Sequence, residues 1–174
     1  MPSRVSRAVL GATLAMSCLF AAVQSAHAVL GGSPMTPPAG ASTSSRIVTP
    51  VAVMHAASAG ASSSTAASSS SYTVHETTFG NGTVVREYLA QNGSVFGIAW
   101  HGSQMPHLAD LLGTYFPQYV AGVQAMRAAH PGHGPVAVEQ SGLVVHSGGH
   151  MGAFAGQAWL PQALPEGVSG SDIQ

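Results

Sequence analysis

The sequence predicts a small α+β domain in which an antiparallel β-meander leads into a broken helix and then into further antiparallel strands. Three observations favour this fold class. Residues 72–79 alternate polar and apolar side chains, as a half-buried strand does. Two Asn-Gly pairs, Asn81-Gly82 and Asn92-Gly93, follow at the spacing of hairpin turns. Residues 108–123 then carry apolar side chains at helical spacing, and the helix is expected to pack on one face of the sheet.

Charge selects the register of the first hairpin. A two-residue loop would place Glu76 opposite Glu87, and like charges directly opposite each other are unfavourable. A three-residue loop that ends at Gly82 instead pairs Glu76 with Arg86 and His75 with Glu87. We therefore predict the three-residue loop, with its last residue in the left-handed conformation.

The second Asn-Gly pair connects the return strand, residues 83–90, to a third strand over residues 94–100. The same loop length predicts three cross-strand pairs: Tyr88 with Phe96, Arg86 with Ile98, and Val84 with Trp100. Because every second side chain of a strand points to the same face, the three partners on the third strand are expected on one packed face. Gly97 lies on the other face, where it permits the close approach of another backbone.

The helical spacing is interrupted by Gly113 and Pro117. A proline inside a helix removes a backbone donor and clashes with the preceding turn. The sequence therefore predicts a short helix to about Leu112, a break, and a second helix to about Ala129. Further short strands are predicted at residues 136–140, 143–146 and 151–160, before an extended tail that starts at Pro161.

Residues 1–28 have the three parts of a secretory signal peptide. Arg4 and Arg7 form the basic start, residues 8–23 form the apolar run, and Ala26-His27-Ala28 is a small-x-small cleavage site. The apolar run is too short to span a membrane comfortably, because a transmembrane helix needs about 20 apolar residues. We therefore expect export to the periplasm or to the outside of the cell, with no transmembrane segment left after cleavage.

Residues 29–71 are mostly Ser, Ala, Thr, Gly and Pro and are predicted to be a disordered Ser/Ala-rich tether. Such a segment buries too little apolar surface to offset its ordering entropy. Residues 47–54 have the composition of a short strand, which the proline within them restricts to a sheet edge. The folded domain is expected over residues 72–165 and a flexible tail over residues 166–174. Leu30-Gly31-Gly32 is a distinct motif to which the sequence gives no physical role.

The composition excludes several classes of function. The chain has no lysine, and after the predicted cleavage site three arginines stand against six carboxylates, so no basic patch exists for nucleic acid or an anionic membrane. Cys18 lies in the predicted leader, so cleavage leaves neither a disulfide nor a cysteine-containing zinc site. Phosphate-binding P-loops and S-x-x-K serine enzymes need a lysine, and no G-x-S-x-G motif occurs. No cofactor is predicted.

Histidine provides the first candidate site, because six histidines fall within fifty residues: His101, His107, His130, His133, His146 and His150. The pairs His130/His133 and His146/His150 have spacings that zinc or copper ligands use. Met105 and Met151 would be soft additional ligands for copper. The alternative is a set of surface histidines, since both pairs lie in Gly-rich loops that fix no ligand geometry.

Glu76 and Glu87 provide the second candidate site. Two carboxylates on adjacent strands can work as a general acid and a general base. The alternative, which we favour, is that each has a cationic neighbour, Arg86 or His75, and that these pairs set the strand register. No catalytic residue is therefore assigned.

Six stretches carry a resemblance to a known family: residues 82–88 (GTVVREY), 92–100 (NGSVFGIAW), 111–116 (LLGTYF) and 144–151 (VVHSGGHM), with Leu30-Gly31-Gly32 and Leu160-Pro161. Together they resemble an uncharacterised family of small exported proteins of Gram-negative bacteria, classed as a domain of unknown function. The resemblance covers nearly the whole chain that follows the leader, apart from the tether. It implies export and one domain, and it implies no activity, cofactor or catalytic residue.

The sequence does not identify a biochemical activity or an oligomeric state. We expect a non-catalytic periplasmic or secreted module that binds a protein, a peptide or an envelope component, for example through an exposed strand edge. Two alternatives stay open. One is a copper or zinc carrier that uses His130, His133, His146 and His150, and the other is a small hydrolase that uses Glu76 and Glu87.

Overall fold

The computed structural model describes residues 30–50, 70–132 and 134–174, so the predicted signal peptide lies outside the described residues. Seven strands lie within them: β1 Ser42–Val48, β2 Tyr72–Thr78, β3 Val84–Leu89, β4 Val95–Gly102, β5 Val136–Gln140, β6 Leu143–His150 and β7 Ala153–Trp159. They form one sheet in the order β1-β2-β3-β4-β7-β6-β5, with every neighbouring pair antiparallel. The predicted α+β class and the single small domain are confirmed.

The helical region is broken where the sequence predicts. Helix α1 is Leu108–Leu112, a 3-10 turn follows at Gly113–Tyr115, and helix α2 is Phe116–Ala129. Pro117 lies in the first turn of α2, where a missing backbone donor costs nothing. No helix among the described residues is long and apolar enough to cross a membrane.

The first hairpin has the predicted register. Glu76 is opposite Arg86 and His75 is opposite Glu87. The Oε2 atom of Glu76 lies 2.6 Å from the Nε atom of Arg86. Gly82 ends the three-residue loop with a φ of 79°, which confirms the bulged turn. The charged pair therefore selects the loop length, as the sequence indicates.

The predicted pairs of the second hairpin are wrong by one position. A bulge follows Leu89↔Val95, so that Tyr88 is opposite Gly97 and Arg86 is opposite Ala99. The bulge turns Phe96 away from the face that holds Ile98 and Trp100, because one extra residue inverts the alternation of side chains.

The two faces of the sheet bury different sets of residues. The helix face packs against α1 and α2 with a core that includes Val85, Ile98, Trp100, Leu111, Leu112, Val145 and Ala158. The opposite face, here called the tail face, buries Tyr72, Val74, Tyr88, Phe96, Ala99 and Ile173. Residues distant in sequence thus form two small apolar layers on either side of one sheet.

The first described residues, 30–38, form a segment here called the strap. The N–H of Leu30 donates to the Leu111 carbonyl at 3.0 Å, and the N–H of Gly31 donates to the Val95 carbonyl at 2.7 Å. The N–H of Val95 returns a 2.9 Å hydrogen bond to the carbonyl of Gly32. Leu30 is buried in the core, and Gly31 has a φ of 84° that favours glycine. The Leu30-Gly31-Gly32 motif therefore fastens the strap to the sheet.

The predicted tether is wrong for Ser42–Val48, which form β1. All seven residues of β1 pair with β2, although six of their seven side chains are exposed. Hydrogen bonds of the backbone ladder order this strand. The amino-acid composition indicates only how much side-chain surface can be buried, so it does not reveal such a ladder. The predicted strand at residues 47–54 shares only its first two residues, Ile47 and Val48, with β1. Residues 51–69 of the predicted tether lie outside the described residues.

The predicted flexible tail is wrong as well. Residues 161–174, here called the tail, pack along the tail face with Ile173 fully buried. The hydroxyl of Tyr88 donates to the Gln174 carbonyl at 2.7 Å and accepts a 2.9 Å hydrogen bond from the Gln174 N–H. The Ile173 side chain occupies the space over Gly97, where an added Cβ would lie 2.8 Å from its Cδ1. A side chain, and not a backbone, makes the predicted close approach.

Candidate functional site

The tail covers only part of the tail face. It packs over side chains of β2, β3 and β4 and reaches Trp159 of β7. The part formed by β5, β6 and the first half of β7 stays open and holds a shallow groove of about 620 Å³. This groove combines an open concave surface with several polar side chains, and it is therefore the candidate binding site.

Polar side chains from five different segments, namely β4, β5, β6, β7 and the tail, line the groove. Every second side chain of a strand shares a face, so the pairings His101↔Ala155 and His146↔Gln157 place these four side chains on the tail face. Gln174 lines the groove from the tail. The groove thus presents imidazole and amide groups that donate and accept hydrogen bonds.

One ion pair orients a histidine of the groove. The Nε2 atom of His146 lies 2.9 Å from the Oε1 atom of Glu139, and the charged form of this pair needs a protonated imidazole. The His146 ring also meets the ring of Trp159 edge to face, with centroids 5.3 Å apart. Two contacts in different directions therefore fix the orientation of the His146 ring.

Small residues form the floor of the groove. Ala137, Gly148, Ala155 and Gly156 line it between the polar side chains. Without large side chains, a ligand can approach the sheet backbone closely. The single hydroxyl residue in the lining, Ser147, is buried, and its side chain lies on the other face of the sheet.

Three of the four predicted metal ligands, His130, His146 and His150, lie within the described residues. His130 follows the last residue of α2, and His146 lies in β6. His150 ends β6, and its Nδ1 atom is 3.1 Å from the Met151 carbonyl. No group of three or more His, Cys, Asp or Glu side chains comes together within residues 30–50, 70–132 and 134–174. His133 lies outside these residues, so the four-histidine site stays a prediction.

The two candidate carboxylates lie on opposite faces of the sheet. Glu76 pairs with Arg86 on the tail face, where Arg86 also donates to the Gln174 carbonyl at 3.0 Å. Glu87 faces the helix layer, because it is one position away from Arg86 along β3. The sheet separates the two carboxylates, so they do not form an acid–base pair over one substrate.

Glu87 is the most unusual ionisable group among the described residues. Its side chain is only 1% exposed, and its Oε1 atom accepts a 2.8 Å hydrogen bond from the N–H of Met35 in the strap. Burial raises the pKa of Glu87 to about 7, because desolvation of the carboxylate outweighs the stabilising backbone hydrogen bond. No ion pair to Glu87 occurs in the described part of the chain. His75 is opposite Glu87 in the strand register, as expected, but the two side chains form no ion pair in the described part of the chain.

A second cavity of about 380 Å³ lies beside the strap. Residues of the strap, the first hairpin loop and the start of α1 line it: Met35, Thr36, Pro38, Phe79, Asn81, Thr83, Met105, Pro106, His107, Asp110 and Leu111. The Nδ1 atom of His107 lies 3.0 Å from the Oδ2 atom of Asp110 at its edge.

A family model described as protein of unknown function (DUF2844) matches residues 26–173. The chain belongs to this family. The match includes both the strap and the tail, so these segments are parts of the DUF2844 domain and not additions to it. The resemblance to a domain of unknown function is thereby confirmed. No curated protein and no solved structure matches the chain.

Two histidines of the groove, His101 and His146, belong to the predicted set of candidate ligands, but the sequence does not predict the groove itself. Glu139 and Gln157 belong to no motif, and the sequence predicts that Gln174 lies in a flexible tail. The alternation within residues 136–140, 143–150 and 153–159 is the signal that puts these side chains on one face. The pairing of β4 with β7, which joins distant segments, has no signal in a single sequence.

Proposed function

We propose that this DUF2844 protein is an exported, non-catalytic binding module that holds an extended segment of an envelope protein in the groove. The observation that supports this proposal is that the tail covers only part of the tail face. The tail closes the apolar half of that face, whereas the half with His101, Glu139, His146 and Gln157 stays open. An open polar surface on a rigid sheet is a common arrangement for recognition.

The chemistry of the groove suits an extended polypeptide. Such a segment presents alternating N–H and C=O groups, and the amide and imidazole side chains of the groove complement both. The small floor residues allow close approach over the length of β6 and β7. The side chains from the strands are held by seven paired strands, so binding does not require their ordering.

The proposed surface can be tested by site-specific photo-crosslinking. A photoreactive residue in place of the exposed Ala155 lies in the groove, and one in place of the exposed Ala125 on α2 is the matched control. In intact cells we expect a discrete adduct from position 155 that position 125 does not form. Gln157→Ala and His101→Ala are expected to lower the yield of this adduct. The same adducts from both positions, or none from position 155, would contradict the proposal.

Export is tested separately. The proposal predicts that the mature chain begins at Val29 and fractionates with the periplasm or the culture medium. Amino-terminal sequencing of the purified protein measures the first property, and cell fractionation measures the second. Retention of residues 1–28 on protein from the cytoplasm would contradict export without bearing on the groove.

A further inference from the structure

Within residues 30–50, 70–132 and 134–174, β1 is the last strand of the sheet, and no described segment pairs with its outer edge. Among the described residues it pairs with β2 alone, and all seven of its residues keep an uninterrupted register. Natural edge strands are usually protected by lysine, proline, a bulge or extreme shortness. The strand STSSRIV has no lysine, no proline and no bulge, and Arg46 is its single charged residue. Its outer backbone groups are therefore a template for another strand.

We propose that this edge is a self-association surface, on which β1 of a second copy of the chain pairs antiparallel with β1 around a two-fold axis at Ser45. This inference goes beyond the proposed function, because the groove lies at the other end of the sheet. A two-fold axis perpendicular to the sheet pairs residues that point to the same face. The two seven-stranded sheets then form one continuous sheet.

The length and charge of β1 select this register. An axis at Ser45 pairs all seven residues, with Ser42 opposite Val48, Thr43 opposite Ile47, and Ser44 opposite Arg46 of the second copy. An axis at Arg46 would leave fewer pairs and would set two arginines directly opposite each other, which is unfavourable. An axis at Ser44 also pairs fewer residues. The centre at Ser45 therefore combines the longest ladder with no like-charge pair.

Charge complementarity across the edge supports the same register. Ser44 is opposite Glu76 on one side and would be opposite Arg46 of the second copy on the other. The three residues share the tail face, and two strand spacings of about 4.8 Å separate Arg46 of the second copy from Glu76. The small Ser44 side chain leaves the guanidinium room to reach toward the Glu76 carboxylate. The two-fold axis repeats the contact between Arg46 and Glu76, so it occurs twice in the dimer.

An exposed apolar side chain gains a neighbour as well. Ile47 is 77% exposed in the single chain, although it is the sixth of the seven paired residues of β1. In the proposed dimer it would lie opposite Thr43 of the second copy, and a cross-strand pair of β-branched residues stabilises a sheet. The edge thus offers backbone hydrogen bonds, a charge pair and an apolar contact to one partner.

Sedimentation velocity over a concentration series tests the proposal on the whole protein. We expect a concentration-dependent dimer. Ser45→Lys would place two ammonium groups opposite each other and weaken the dimer about fivefold, and Ser45→Glu would do the same. An equimolar mixture of the two variants should restore dimers, because lysine then faces glutamate. Gln124→Lys, on the exposed side of α2, is the matched control and should leave dimerisation unchanged.

A disulfide reports the register directly. In protein with Cys18→Ser, Ser45→Cys faces its own copy and should form a disulfide-linked dimer on mild oxidation. Ser44→Cys faces Arg46 of the second copy and should not. A wild-type protein that stays monomeric at all concentrations would overturn the proposal. So would a Ser45→Lys variant that dimerises as well as the wild type, or equal crosslinking from positions 44 and 45.

Discussion

The buried carboxyl group of Glu87 accepts a 2.8 Å hydrogen bond from the backbone N–H of Met35. This bond joins the middle of β3 to the strap, on the face that holds the larger apolar core. The carboxylate form gains one hydrogen bond and loses its hydration, so folding favours the protonated form. The attachment of the strap is therefore linked to pH.

The first prediction concerns the pH dependence of stability. The pKa of Glu87 rises from 4.5 in the unfolded chain to about 7 in the folded protein, so the folded state binds more protons between these values. The contribution of Glu87 is full below pH 4.5, falls as the pH rises through 7, and is lost above it. The free energy of unfolding should drop by about 3 kcal/mol over this window. Urea titrations at pH 5 and pH 8 measure the difference.

Glu87→Gln removes the titration and keeps the shape and the hydrogen-bond acceptor. Its stability should change less between pH 5 and pH 8 than that of the wild type. Glu76→Gln is the matched control, because Glu76 is partly exposed on the other face and its loss should leave the pH-dependent drop in place. A drop of the same size in Glu87→Gln would refute the linkage.

The second prediction concerns the tail. Ile173 is fully buried between the tail and the tail face, so Ile173→Ala should lower the free energy of unfolding by about 2–4 kcal/mol. Gln162→Ala in the same tail removes an exposed side chain and should cost less than about 0.5 kcal/mol. Urea denaturation measures both. Equal effects would mean that the tail does not pack as described.

The third prediction concerns the helix-face core. An added Cβ at Gly156 would lie 2.3 Å from the Trp100 ring, whereas one at Gly142 meets nothing within 4 Å. Gly156→Ala therefore forces the indole or the backbone to move and should destabilise the protein by about 1–3 kcal/mol. Gly142→Ala should change stability little. Thermal unfolding followed by tryptophan fluorescence measures both, and equal melting temperatures would argue against the described contact.

Short-range sequence signals predict those parts of the fold in which the contacting residues are close together in the sequence. The Asn-Gly turns and the Glu76–Arg86 pair set the first hairpin, and Gly113 with Pro117 set the break between α1 and α2. The bulge near Phe96 was not predictable from neighbouring residues. It turns Phe96 toward Tyr72 and Tyr88 on the tail face, and this aromatic cluster sits beside the tail that reaches it from far along the chain.

The candidate site was less predictable than the fold. His101 and His146 were visible as histidines, but their shared face depends on the pairing of β4 with β7 and of β7 with β6. The sequence predicts flexibility for the strap because its composition offers little apolar surface to bury, and it predicts an extended, flexible tail after Pro161. Leu30 in the strap and Ile173 in the tail are buried, and a few further apolar side chains and backbone hydrogen bonds hold each segment in place.

The partial cover of the tail face is tested most directly by the accessibility of two introduced thiols. In protein with Cys18→Ser, Ala99→Cys lies beneath the tail at a position only 4% exposed, and Ala155→Cys lies in the open groove on the same face. With a thiol reagent under native conditions, we predict rapid labelling at position 155 and labelling at position 99 only upon unfolding. Equal labelling rates at the two positions would contradict the division of this face into a covered half and an open half.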